Sequence, residues 1–156
     1  MTETLQAPAA PAGLTFVRAI QDGHMQPPPM AQTIGFDIIE AEIGSVGMRL
    51  AYDRKLDNGM GMLHGGATAT ILDTAMGCAA GTVVPDDSTL LTLDLHVTYL
   101  SPVTPEVMPI TATARVGHVG RGTVYVLGEV HAASGMLVAH AVGNFKVIAR
   151  SAKAAA

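Results

Sequence analysis

The carboxylate of Asp73 stands in a run whose other members, from Ala67 to Ala80, are Ala, Ile, Leu, Met, Thr, Gly and one Cys. An unpartnered carboxylate among such neighbours costs several kcal/mol, or else it takes up a proton. A structural reading gives it a hydrogen bond from Thr70 or Thr74, or a cation on a neighbouring strand. A chemical reading uses it as a base or a nucleophile. The turn His64-Gly65-Gly66 just before the run bears on the choice. A glycine pair at a helix start presents backbone N–H groups and a partial positive charge with no side chain in the way. A carbonyl oxygen that turns negative during acyl transfer would be stabilised there, by roughly 3–4 kcal/mol for one well-placed donor. The plain alternative is that two glycines only let the chain turn sharply.

Spacing sharpens the chemical reading. Gly65 and Asp73 are separated by eight residues, about 12 Å along one helix. Groups that act on the same carbonyl lie roughly 3–3.5 Å from it. If both groups act, two antiparallel copies of the helix must meet, and a two-fold dimer with interfacial sites follows.

The elements that must position these residues can be read from pattern. Residues 1–13, rich in Ala and Pro, read as a flexible leader, and Ser151 to Ala156 as a short tail. Between them lies a single domain, residues 14–150. Leu14 to Gly23 reads as a short helix ended before the Pro27-Pro28-Pro29 breaker. Thr33 to Glu42 and Val46 to Tyr52 read as strands joined at Gly44-Ser45. From Gly66 to about Thr82 the residues are apolar on nearly every side, the pattern of a buried helix. Strand-like runs follow at Leu90 to Leu100, Val107 to Val116, Gly122 to Ala132 and Leu137 to Ala149. In Leu91 to Tyr99 the alternation puts Leu91, Leu93, Leu95, Val97 and Tyr99 on one face and Thr92, Asp94, His96 and Thr98 on the other. One buried helix between two early strands and four later ones predicts an α+β fold, an antiparallel sheet wrapped around the helix.

Composition narrows the function classes. Half the residues are apolar (49%) and 14% are charged, so excess apolar surface is expected to be buried between subunits of a homo-oligomer. A net charge of −4, with no Lys/Arg run, argues against a nucleic-acid partner. Asp73, Gly77 and Gly81 interrupt the longest weakly polar stretch, so no membrane span is expected, and the leader lacks the pattern of a signal peptide. The single cysteine, Cys78, excludes an intrachain disulfide framework and fits a reducing cytoplasm. In an apolar helix its ordinary role is small core filler. None of the six histidines forms a ligand spacing, so no metal is expected. Gly59-x-Gly61 lacks the context of a dinucleotide loop, and the serine-hydrolase elbow is absent.

The run Asn58 to Ala75, with His64-Gly65-Gly66 and Asp73 in fixed spacing, resembles the signature of hotdog-fold acyl-CoA thioesterases of the PaaI-like (phenylacetate-degradation) group. The likeness extends through Thr92 to Pro102, Gly120-Arg121-Gly122 and Leu137 to Val147, and covers about residues 27–149. It implies a curved antiparallel sheet around a central helix, in dimers paired into tetramers. It implies that Asp73 attacks the thioester or activates water, and that the Gly65 N–H polarises the carbonyl. Asn58 then supplies an amide near the thioester, His64 orients the site, and Thr92 lies close to the acid. Gly66 and Met62 take substrate-binding positions. The family's coenzyme A contacts vary; Arg121, Lys146 and Arg150 are the cations near the later strands. Of these, Lys146 and Arg150 read as surface charges, and Arg121, between two glycines, is the candidate phosphate contact. The implied substrate is a small or medium aryl or aliphatic acyl-CoA, with no separate cofactor. The competing readings are a non-catalytic acyl-CoA sensor and a hydratase or dehydratase on the same fold. The latter would pair a His with an acid, and His64 and Asp73 are too far apart in one chain for that.

Overall fold

The computed structural model describes residues 10–150. Along the chain come helices α1 (Ala12–Gln21) and α2 (Pro29–Ile34), strands β1 (Phe36–Glu42) and β2 (Ser45–Leu50), and helix α3 (Gly65–Gly81). Strands β3 (Ser88–Tyr99), β4 (Ile110–Val119), β5 (Thr123–Ala132) and β6 (Leu137–Ala149) follow, with 3-10 turns at Arg54–Leu56 and Pro105–Val107. The six strands form one sheet in the order β1-β2-β4-β5-β6-β3, antiparallel throughout. Because β3 lies beside the last strand, the chain must cross the sheet between β2 and β3. Helix α3 makes that crossing, on the inner face.

The core forms between α3 and the inward side chains of the sheet. Ile71, Leu72, Ala75 and Met76 of α3 are fully buried, as are Met48, Leu50, Ile110, Val126 and Phe145 opposite them. Gly128 of β5 and Gly143 of β6 bring the helix close. A Cβ on Gly128 would stand 2.9 Å from Leu72 and Met76, and one on Gly143 3.1 Å from the Met76 methyl.

Several boundaries differ from the pattern-based expectation. Pro27 to Pro29 act as more than a breaker. Pro29 is the first residue of α2, where a missing N–H is harmless. Thr33 and Ile34 therefore close a helix, ended by Gly35 at φ +87, and β1 starts only at Phe36. Val107 belongs to a 3-10 turn, not to β4. Helix α1 begins at Ala12, so the folded part starts two residues before the expected boundary. Residues 1–9 of the expected leader and the whole expected tail lie outside the described residues. Among the described residues, no helix is long and apolar enough to cross a membrane.

Two further departures bear on the site. Helix α3 is not buried all round, because Gly66 is exposed and Ala69, Thr70, Asp73 and Gly77 are half-buried along one stripe. In β3 the alternation is broken at Leu93, so Leu91 and Leu93 face outward, 57% and 56% exposed.

Gly13 seats α1 against the end of α3. A Cβ there would lie 2.0 Å from the Gly81 carbonyl oxygen, a backbone atom that cannot swing aside. Gly13→Ala should therefore destabilise the domain by about 1–3 kcal/mol through overpacking. Thermal melts followed by circular dichroism should show a midpoint lowered by several degrees, and an unchanged midpoint would mean that α1 does not sit there.

Candidate active site

The start of α3 is built by three residues around one free donor. His64 is the N-cap, and its Nδ1 accepts the Gly66 N–H at 2.8 Å. The imidazole proton is thereby placed on Nε2. The Tyr99 hydroxyl donates to the Gly65 carbonyl at 2.8 Å. The two glycines leave room for these contacts. A Cβ on Gly66 would lie 2.9 Å from His64 Nδ1, and one on Gly65 3.3 Å from the Tyr99 ring. Among the described residues no acceptor takes the Gly65 N–H. The Gly66 N–H is occupied by His64, and Gly65 is left as the open donor.

Asn58 shapes the adjoining turn. Its Oδ1 accepts the N–H groups of Met60 (2.8 Å) and Met62 (3.2 Å). Two donors on one atom identify it as the oxygen, so the Nδ2 amide points elsewhere and has no acceptor among the described residues. The turn is pinned by Leu63 N–H to the Val103 carbonyl (2.9 Å) and His64 N–H to the Leu56 carbonyl (2.8 Å). Asn58, Met62, Gly65, Tyr99 and Ser101 line one open cavity of about 370 Å³. The structure thus brings together three of the expected residues, Asn58, Met62 and Gly65, beside His64.

The other half lies farther along the same helix. Asp73 is half-buried on the open stripe, and the Thr92 hydroxyl donates to its Oδ1 at 2.9 Å. Neither Thr70 nor Thr74 supplies the partner. Their hydroxyls donate to the carbonyls of Gly66 and Thr70, each one turn back (2.8 Å). The unbroken alternation placed Thr92 on the outer face with Asp94 and His96, and the structure corrects this. Thr92 pairs with Phe145 and Asp94 with Asn144, so Leu93 is an extra residue that resets the facing. Leu90 and Thr92 face α3 before the bulge, and Leu95, Val97 and Tyr99 face it afterwards.

Strand β3 runs antiparallel to α3, with Tyr99 at Gly65 and Thr92 at Asp73. One chain therefore holds the free N–H and the carboxylate about 12 Å apart, the rise of eight helical residues. Arg121 lies exposed in the β4–β5 turn, outside both clusters. Cys78, one turn past Asp73, is a poor nucleophile. Burial, with the Asp73 charge added, pushes its thiol up to about 11. Tyr99 escaped the sequence reading as a site residue, although its place on the face of Leu95 and Val97 was visible.

Residues 60–139 match the family model described as the thioesterase superfamily, a span that holds Gly65, Asp73 and Thr92 but not Asn58. The chain is 35% identical over 89 residues to a protein of Halobacterium salinarum that carries the name of an esterase. That match takes in 54% of this chain and 59% of the other, so the chain spans under two thirds of that relative's length. It is 27% identical over 94 residues to a 1,4-dihydroxy-2-naphthoyl-CoA hydrolase of Listeria monocytogenes, covering 60% of this chain and 75% of that one. Its fold is similar to that of the PaaI protein of Escherichia coli, from the phenylacetic acid degradation operon. The TM-score is 0.76 at 21% identity, over 90% of this chain and 99% of the other. The curved antiparallel sheet around a central helix is therefore the expected hotdog architecture, and the chain belongs to the thioesterase superfamily.

Proposed function

We propose that the protein hydrolyses the thioester of a small or medium aryl or aliphatic acyl-CoA to the free acid and coenzyme A. The observation that carries this reading is the open Gly65 N–H at the positive end of α3, beside a free Asn58 amide and about two turns along the same helix from a hydrogen-bonded carboxylate. The thioester carbonyl oxygen becomes negative as the carbonyl is attacked, and the Gly65 N–H stabilises it there. Asp73 takes a proton from water as that water attacks, or attacks the carbonyl itself. In the first route water's oxygen joins the acyl carbon as the C–S bond breaks. In the second an anhydride with Asp73 forms as that bond breaks, and water then hydrolyses it to release the acid and restore the carboxylate. Coenzyme A leaves as the thiolate in both, with no cofactor beyond the substrate.

Both groups reach one carbonyl only if two chains contribute. The two-fold axis then passes near Ala69, midway between Gly65 and Asp73 on α3, and near Leu95 and His96, midway between Thr92 and Tyr99 on β3. The outer edge of β3, unpaired among the described residues, supports this arrangement, since a long edge strand with exposed apolar side chains invites a partner. Leu91, Leu93, Tyr99 and Leu100 are exposed along it. Pairs of such dimers form the tetramer in the same proposal. Arg121 serves as a coenzyme phosphate contact from the β4–β5 turn, and the protein works in the cytoplasm, where acyl-CoA is found and a lone thiol stays reduced.

The acyl group has room beyond the carboxylate. One turn past Asp73, Gly77 and Cys78 border a cavity of about 420 Å³ that Phe16, Val17 and Leu90 help to line. Phe16 also borders a second cavity of about 190 Å³ against Ile20, Ala31 and Thr74. A small or medium acyl chain fills the first, and Phe16 limits its length.

Two predictions follow for purified protein. Asp73→Asn should lower kcat for thiol release roughly 10²–10⁴-fold with little change in KM, the scale of a lost acid–base group. A full rate in the variant, or no turnover of any acyl-CoA by the wild type, contradicts the proposal. Phe16→Ala should raise kcat/KM for longer acyl chains relative to shorter ones. An unchanged chain-length profile would place the acyl group elsewhere.

A further inference from the structure

The bulge in β3 decides which side chain meets Asp73. With Leu95, Val97 and Tyr99 facing α3, a regular strand would turn Leu93 toward the carboxylate and Thr92 away from it. The sequence itself favours that arrangement, because Leu91, Leu93, Leu95, Val97 and Tyr99 alternate on one face. The folded chain instead leaves Leu91 and Leu93 in solvent. Some specific interaction must offset that exposure.

It is found on the outer face, at the bulge. The Asn144 backbone N–H, beside the break in the ladder, donates to Asp94 Oδ1 at 3.2 Å. The Asn144 Nδ2 donates to both carboxylate oxygens of Asp94, at 3.2 and 3.1 Å. Asp94 thus accepts three hydrogen bonds from one residue, all charge-assisted. In a regular strand with Leu95 still opposite Gly143, Asp94 would also oppose Asn144, but the Asn144 N–H would bond a ladder carbonyl of β3 and not the carboxylate. The carboxylate therefore takes the place of the ladder acceptor that the bulge removes at the Asn144 N–H.

We propose that Asp94, clamped by Asn144, is a positioning residue of the reaction: the pair holds the bulge at Leu93 and so aims the Thr92 hydroxyl at Asp73. Neither residue touches substrate, and both lie on the sheet face opposite the site. The proposal rests on the catalytic reading of Asp73 for its kinetic consequence, but not for its structural one.

A double-mutant cycle tests it. Thr92→Val should lower kcat about ten-fold by removing the hydroxyl donor. Asp94→Ala should lower kcat by about the same factor with KM within about two-fold, and the double variant should be no slower than the slower single one, because both act through one hydrogen bond. Asp94→Asn keeps an Oδ1 acceptor for the Asn144 N–H and should recover most of the rate. Losses that multiply in the double variant, or an Asp94→Ala enzyme at the wild-type rate, overturn the proposal. A crystal structure of Asp94→Ala provides a readout independent of activity, and Asn144→Ala serves if Asp94→Ala does not fold. The separation of Thr92 Oγ1 and Asp73 Oδ1 should open well beyond 2.9 Å, with Leu93 turned inward. A separation that stays at 2.9 Å overturns the positioning role even if the protein hydrolyses no thioester.

Discussion

Helix α3 is rigid over the eight residues that part its first free N–H from its carboxylate, and the proposed chemistry depends on that separation. A helix cannot fold back to bring Gly65 and Asp73 to one atom, since its rise of about 1.5 Å per residue keeps them about 12 Å apart. The fold keeps this helix central by packing small residues closely. Gly128 and Gly143 on the sheet admit Leu72 and Met76, and the buried face of α3 is largely alanine, with Ile71 and Leu72. What remains open is a stripe of Gly66, Ala69, Thr70, Asp73 and Gly77, narrow in side-chain volume and carrying the one charge of the helix.

Strand β3 serves both ends of that stripe. Its last residue, Tyr99, takes the Gly65 carbonyl and covers the glycine with its ring, while Thr92 takes the Asp73 carboxylate. Each end is therefore fixed by the same strand, and among the described residues that strand has its outer edge unpaired. A partner pairing there would bring a second copy of the stripe alongside the first in the opposite sense. The free backbone edge, the exposed apolar side chains and the two separated half-sites all call for the same neighbour.

Much of this was legible in the sequence, and the failures have physical causes. The buried helix and the last two strands follow from local periodicity, so β6 begins and ends at Leu137 and Ala149 as its pattern predicts. Asp73 stood out because a carboxylate is rare among such neighbours, and the helix arithmetic needed only its distance from Gly65. The hydrogen-bond partner of Asp73 could not be read locally. Thr70 and Thr74 were the near hydroxyls, but in a helix a threonine hydroxyl readily bonds the carbonyl one turn back, as both do here. The true partner, Thr92, is turned inward by a bulge that exists only through pairing with β6. Period-two alternation carries no trace of an extra residue, and Asp94 and Asn144 are 50 positions apart. Helix α2 was missed for a simpler reason. Three prolines in a row read as a stop, whereas the last of them also starts a helix.

The claim that one site draws on two chains is tested most directly by subunit complementation. Asp73→Asn removes the carboxylate, and Gly65→Val places side-chain bulk against the Tyr99 ring and spoils the donor turn. Each variant alone should be inactive. Mixed and allowed to exchange subunits, half the dimers become heterodimers, in which one site carries both defects and the other carries neither. The account predicts recovery of about a quarter of wild-type activity at equal mixing. A mixture that stays inactive, with exchange shown by mass spectrometry, would mean that both groups act within one chain.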